Sequence, residues 1–130
     1  MRILIIDDDP ASTDLLRILL TSYPAEVHVT NLPAEGIEIA KRIQPDLILL
    51  DLWMPDLDGK QVCKAIRKTS SVPILILSAL DTPDVIAGVL NAGADDYLVK
   101  PVSQSILHAY VKKFARLQIT NTLVMATAGI

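Results

Sequence analysis

The sequence lacks the features that mark several broad classes of protein. One cysteine, Cys63, stands among 130 residues, so no internal disulfide can form. A lone thiol fits a reducing compartment. No stretch approaches the roughly 20 apolar residues that a membrane span needs. The apolar run inside MRILIIDDD is too short for a secretory signal and ends in three acids. Positive charge is not in excess: the formal net charge of −3 argues against a nucleic-acid-binding surface spread over the domain. The two histidines, His28 and His108, have no second histidine at ligand spacing. No internal repeat, low-complexity tract or interdomain linker is present. These absences point to a soluble, cytoplasmic, single-domain protein with no membrane contact and no direct hold on nucleic acid.

What is present is apolar and regularly punctuated. Half of the residues are hydrophobic, enough to bury a core without staples. Three unbroken aliphatic runs, ILII (3–6), LILL (47–50) and ILIL (74–77), show no polar alternation. Such runs fit strands covered on both faces, as in a parallel sheet. EVHVT (26–30) and DYLV (96–99) are weaker candidates that belong nearer the sheet edges.

Helical patterns fill the gaps. Asp9 caps a first helix with Pro10 at its first position, and Leu15, Leu16, Leu19 and Leu20 form its apolar stripe. Pro33 opens a second helix, with Ile37, Ala40 and Ile43 facing inward; Pro45 marks its exit. Gly59 to Lys68 reads as a third, with Val62 and Ile66 one turn apart and Cys63 a small apolar filler. Thr82-Pro83 repeats the cap-plus-proline signal, and Gly93 ends that fourth helix. Gly88 within it costs about 1 kcal/mol relative to Ala, which points to close packing there. Ser103 caps a fifth, with Ile106, Leu107, Tyr110, Val111 and Phe114 inward. After Arg116 the pattern fades, and residues 118–130 read as a tail or the start of a linker. The alternation gives (βα)₅: a parallel sheet with helices on both faces and right-handed crossovers.

The residue after each long strand is polar. ILII is followed by Asp7, Asp8 and Asp9, LILL by Asp51, ILIL by Ser78 and DYLV by Lys100. All fall at the carboxyl edge of one sheet, where open α/β folds bind ligands. Singly, each has an ordinary reading: acids that cap a helix or shape a turn, a turn serine, a solvated lysine. Together they suggest a phosphoryl site. Crowded carboxylates repel, and a divalent cation relieves the conflict. An all-oxygen set with few protein ligands suits Mg²⁺ better than Zn²⁺. Lys100 and Ser78 can meet phosphoryl oxygens, and Asp51 can act as the nucleophile that forms an acyl phosphate. In this reading Asp8 and Asp51 bind the metal directly and Asp7 binds through a water.

The pieces ILIIDDDP, DLILLDLWMPDLDG, PILILSA and AGADDYLVKP, in this order and spacing, resemble the receiver domain of two-component response regulators over roughly residues 1–117. The resemblance implies a flavodoxin-like doubly wound fold with strand order 2-1-3-4-5. It implies that Asp51 is the phosphoacceptor, that Asp7 and Asp8 hold Mg²⁺, and that Trp53 offers the metal its backbone carbonyl. Ser78 stands at the switch hydroxyl, Tyr97 at the switch aromatic and Lys100 at the site lysine, with a cis bond to Pro101. The implied partner is a sensor histidine kinase, whose phosphohistidine supplies the phosphoryl group. Such a chain catalyses only its own phosphorylation and dephosphorylation and is not a turnover enzyme. Its signal passes through the face of the fourth helix, fifth strand and fifth helix, to an output partner or a second copy. Trp53 and Leu80, both bulky, are expected to restrict attack of water on the acyl phosphate.

The sequence departs from the winged-helix transcription-factor class of receivers on that face. The acids Asp95 and Asp96 are present, but Ile86, Gly88, Ile106 and Tyr110 stand where charged residues are expected. No DNA-binding output is therefore assigned, and a more apolar contact is expected. Two other uses of the fold fit worse. A phosphohydrolase needs a second acid two residues past Asp51, where Trp53 stands; a flavin carrier needs a hydroxyl-rich loop, where DDDP would repel phosphate. A receiver used only as a phosphorylation-independent docking module remains the alternative.

Overall fold

The computed structural model describes residues 1–51 and 58–128, with side chains of the last helix described through Leu117. Strands β1 (Arg2–Ile6), β2 (Glu26–Thr30), β3 (Leu47–Asp51), β4 (Ile74–Ser78) and β5 (Asp96–Val99) alternate with helices α1 (Pro10–Leu19), α2 (Pro33–Ile43), α3 (Gly59–Arg67), α4 (Pro83–Asn91) and α5 (Gln104–Ala128). All pairings are parallel, and the order is β2-β1-β3-β4-β5. This is the flavodoxin-like (βα)₅ sandwich, with the two weaker strands at the edges.

The aliphatic runs are continuous because each strand feeds two cores. Leu4, Ile6, Ile48, Leu50, Ile74 and Ile76 pack with Ile39, Val62, Cys63, Ile66 and Val89 of α2, α3 and α4. The alternate residues Ile3, Ile5, Leu47, Leu49, Leu75 and Leu77 pack with Leu16, Leu20, Leu107, Val111 and Phe114 beside α1 and α5. Burial pushes the Cys63 thiol up, as suits an inert core residue.

Local chemistry sets the boundaries. The Asp9 side chain accepts from Ala11 N–H with Pro10 at the first position of α1. Asp58 and Gln61 form a reciprocal capping box on α3. Ile106 N–H donates to Ser103 Oγ at the start of α5. Gly93 ends the α4 turn at φ +116, a conformation that favours glycine.

Several expectations need correction. Leu15 and Ile106 are exposed, at 55% and 47%, so the inward stripes of α1 and α5 are narrower than read. The inward face of α2 is as read, with Ala40 buried and Ile37 and Ile43 packed against the core, and Ile39 joins it. Thr82 precedes α4 without a side-chain cap bond. The backbone of α5 stays helical to Ala128, past the point where the sequence pattern fades. Among the described residues, no helix is long and apolar enough to cross a membrane.

Candidate functional site

The sheet register builds the site. Ile6 pairs with Leu50, Asp51 with Leu77 and Ser78 with Val99. This register sets Asp7, the residue after Ile6, beside Asp51 across the topological switch between β1 and β3, and sets Lys100, the residue after Val99, at the same edge two strands away on β5. Asp7, Asp8 and Asp51 each offer a carboxylate oxygen, and the three lie within 4.8 Å of one another. Such a donor set, all oxygen and all anionic, fits a hard divalent cation.

Asp7 is the most constrained of the three, at 2% exposure. Its Oδ1 accepts from Asp9 N–H at 3.0 Å, and its backbone N–H donates to Thr30 O at 3.2 Å. Asn31 Nδ2 donates to Asp7 O at 2.8 Å and to Thr13 Oγ at 3.2 Å, tying the end of β2 to the start of α1. Asp8 is half-buried. Burial first, then the neighbouring charge of Asp7, holds its carboxyl above the usual 3.8, and Asp9 adds to the effect.

The backbone N–H of Lys100 donates to Ser78 O at 2.8 Å, which fixes the end of β5 against β4. Its ammonium donates to Asp7 Oδ2 at 3.1 Å and to Ser12 Oγ at 3.0 Å. Lys100, Asp51, Ser78, Ala79 and Leu80 line one hollow of about 310 Å³. The larger hollow of about 420 Å³, at the C-terminal ends of α2 and α3, lies at the opposite edge of the sheet.

Ser78 is buried, and its Oγ accepts from Leu80 N–H at 3.2 Å. Tyr97 packs against the α2–α4 core, and its hydroxyl donates to Leu80 O. Ser78 and Tyr97 therefore both engage the backbone of Leu80. The bond from Lys100 to Pro101 is cis. Trp53, with Met54 and Pro55, lies outside the described residues.

The sequence reading named Asp7, Asp8, Asp51, Ser78 and Lys100, and the structure brings these five to one edge. It did not name Asn31, Thr13 or Ser12. Asn31 was open to the same logic, since it is the polar residue just after β2. Ser12 gives no such signal: it becomes a partner of Lys100 only through the path of α1.

Comparison with known proteins agrees with this geometry. Residues 3–112 match the family model described as the response regulator receiver domain. The DNA-binding response regulator MtrA of Mycolicibacterium smegmatis is 41% identical over 112 residues, covering 85% of this chain and 49% of MtrA. The transcriptional regulatory protein AfsQ1 of Streptomyces coelicolor is 39% identical over 115 residues, covering 88% of this chain and 51% of AfsQ1. The chain thus spans about half the length of these curated relatives. Among solved structures, a two-component response regulator from Clostridium difficile superposes with a TM-score of 0.85 at 34% identity, covering 89% of this chain and 96% of that one. The BeF3-activated N-terminal receiver domain of Klebsiella pneumoniae RstA gives 0.84 at 30% identity, covering 89% and 99%. With its strand order, its acidic edge and its lysine, the chain belongs to the response regulator receiver domain family, the phosphoaccepting switches of two-component systems.

Proposed function

We propose that Asp51 is the residue that accepts the phosphoryl group, and that a sensor histidine kinase supplies it. One observation carries the reading: Asp51 shares a hollow with Lys100 and Ser78, and a carboxylate oxygen of it lies within 4.8 Å of one each from Asp7 and Asp8. An Asp51 oxygen attacks the phosphorus of a kinase phosphohistidine, the P–N bond breaks, and the imidazole leaves. This transfer needs positioning and charge neutralisation more than covalent help from the protein. The rigid end of β3 positions the nucleophile. The ammonium of Lys100 meets the charge that develops on the phosphoryl oxygens. Asp8 and Asp51 would hold Mg²⁺ directly, Asp7 through a water, and Trp53 by its carbonyl; the cation would supply screening between the acids and the incoming anion.

Phosphorylation replaces the single negative charge of the Asp51 carboxylate with a group that carries about −2 and new acceptor oxygens. The Ser78 hydroxyl, which lines the same hollow, would donate to them. Because Ser78 and Tyr97 both bond Leu80, movement of one loosens the other, which is the small two-state element such a switch needs. Leu80 lines the hollow beside Asp51, where its bulk limits the approach of water.

The signal is then read on the face of α4, β5 and α5. Its acids are engaged within the chain: Asp95 with Arg67 at 2.8 Å and Asp96 with Lys113 at 2.9 Å. Leu90, Val99 and Ile106 are exposed there. These features support an apolar contact with an output partner or a second copy. Residues 1–117 form the receiver in this reading, and 118–130 are a C-terminal tail or the start of a linker.

Intact-mass measurement after incubation with acetyl phosphate and Mg²⁺ tests the assignment. The wild type gains one phosphoryl group, and Asp51→Asn gains none. An adduct that survives the substitution, or no adduct on the wild type, contradicts it.

A further inference from the structure

Lys100 stands between two hollows. One contains Asp51, Ser78 and Leu80; the other, of about 360 Å³, is lined by Ser12, Leu16, Pro101 and Val102 among others. Its ammonium has three N–H bonds, and two of them go to Asp7 Oδ2 and Ser12 Oγ. The two acceptors differ in kind. Asp7 belongs to the group that can hold a cation, so with a cation bound its charge would be shared between that cation and the lysine. Ser12 is neutral and outside that group. The N–H of Ala11 in the same turn is already met by Asp9, and Thr13 Oγ bonds Pro10 O. Among the described residues, the bond from Lys100 is the one given to the Ser12 hydroxyl.

We propose that Ser12 is a positioning residue for phosphoryl transfer: its hydroxyl anchors the Lys100 ammonium beside Asp51 when Asp7 turns to a cation. The proposal rests on the assignment of Asp51 and Lys100 above. A lysine at 27% side-chain exposure has a solvent route open to it. An anchor that does not compete for the metal keeps the ammonium in place and leaves its third N–H for a phosphoryl oxygen.

Initial rates of labelling by acetyl phosphate at saturating Mg²⁺, read by intact mass, test this on the full chain. Ser12→Ala should slow labelling by about 3- to 10-fold, the scale of one hydrogen bond to a charged group that is partly solvated. Ser12→Thr, which keeps the hydroxyl, should restore the rate. In a Lys100→Met background, Ser12→Ala should have no further effect, because Ser12 acts through Lys100 alone. A purely structural role predicts the same loss in both backgrounds, and that result, or an unchanged rate in Ser12→Ala, overturns the proposal. Labelling of an Asp51→Asn control that equals wild type would instead show that the Asp51 assignment has failed, and the proposal would fall with it.

Discussion

Asp8 shows what three acids at one sheet edge do to one another. Its carboxyl is held above the ordinary 3.8 by burial and by Asp7. A raised carboxyl pKa means that the folded protein binds this proton more tightly than the unfolded chain does. Without metal, the contribution of Asp8 to stability therefore falls as pH rises through a window that opens above 3.8. A divalent cation replaces the proton as the source of relief. The gain in melting temperature on adding Mg²⁺ should accordingly be small at the acid end of that window and grow towards neutral pH, as thermal melts in matched buffers can show. In Asp8→Asn the gain should be reduced at every pH. A Mg²⁺ effect independent of pH would mean that the acids do not share the ion. At this scale the sequence was legible where a polar residue follows a strand, because strand ends fix position by register. Ser12, on a helix that merely passes over the site, and the side-chain path of Lys100 to Asp7 depend on tertiary placement and left no pattern to read.

Elements were legible where burial is all or none. The aliphatic runs of β1, β3 and β4 announce strands with cores on both faces. Half-buried helices were harder, because a stripe of leucines does not say where the sheet ends. Leu15 and Ile106 keep helical spacing yet lie beyond the edge of the core. The extension of α5 was missed for a related reason: after Arg116 the chain has no charged side chains, so it has no polar face to reveal the period. The packing of α2 on β1 also left no trace, although it turns on one atom. A Cβ on Gly36 would stand 2.7 Å from Ile6 Cδ1 and 2.9 Å from its Cγ1. Ile6 is fully buried and cannot withdraw. Gly36→Ala should therefore destabilise the protein by about 1–3 kcal/mol in denaturant unfolding, the usual cost of overpacking. Ile6→Val removes the closest atom, so the double variant should lose less than the sum of the two single losses. Additive losses would mean that helix and strand separate to make room.

At the scale of the whole molecule, the fold is a device for bringing distant residues to one edge. Lys100 and Asp7 are 93 positions apart and bond at 3.1 Å. The strand order 2-1-3-4-5 was implied by the match of four motifs to a family and agrees with the observed pairing. Nothing in strand propensity alone sets that order. The matched family region ends at residue 112, and among the described residues Phe114 is the last of α5 in the core. Deleting residues 118–130 should then leave unfolding cooperative and the Mg²⁺ response intact by circular dichroism; a loss of cooperativity would place those residues inside the folding unit. The central claim is that one carboxylate, on β3, takes the phosphoryl group. Borohydride reduction of the protein after treatment with acetyl phosphate and Mg²⁺, followed by peptide mapping, tests this most directly, because an acyl phosphate on aspartate is reduced to homoserine. The account predicts homoserine at position 51 alone. Homoserine at Asp7, Asp8 or any other acid, or at none, would contradict it.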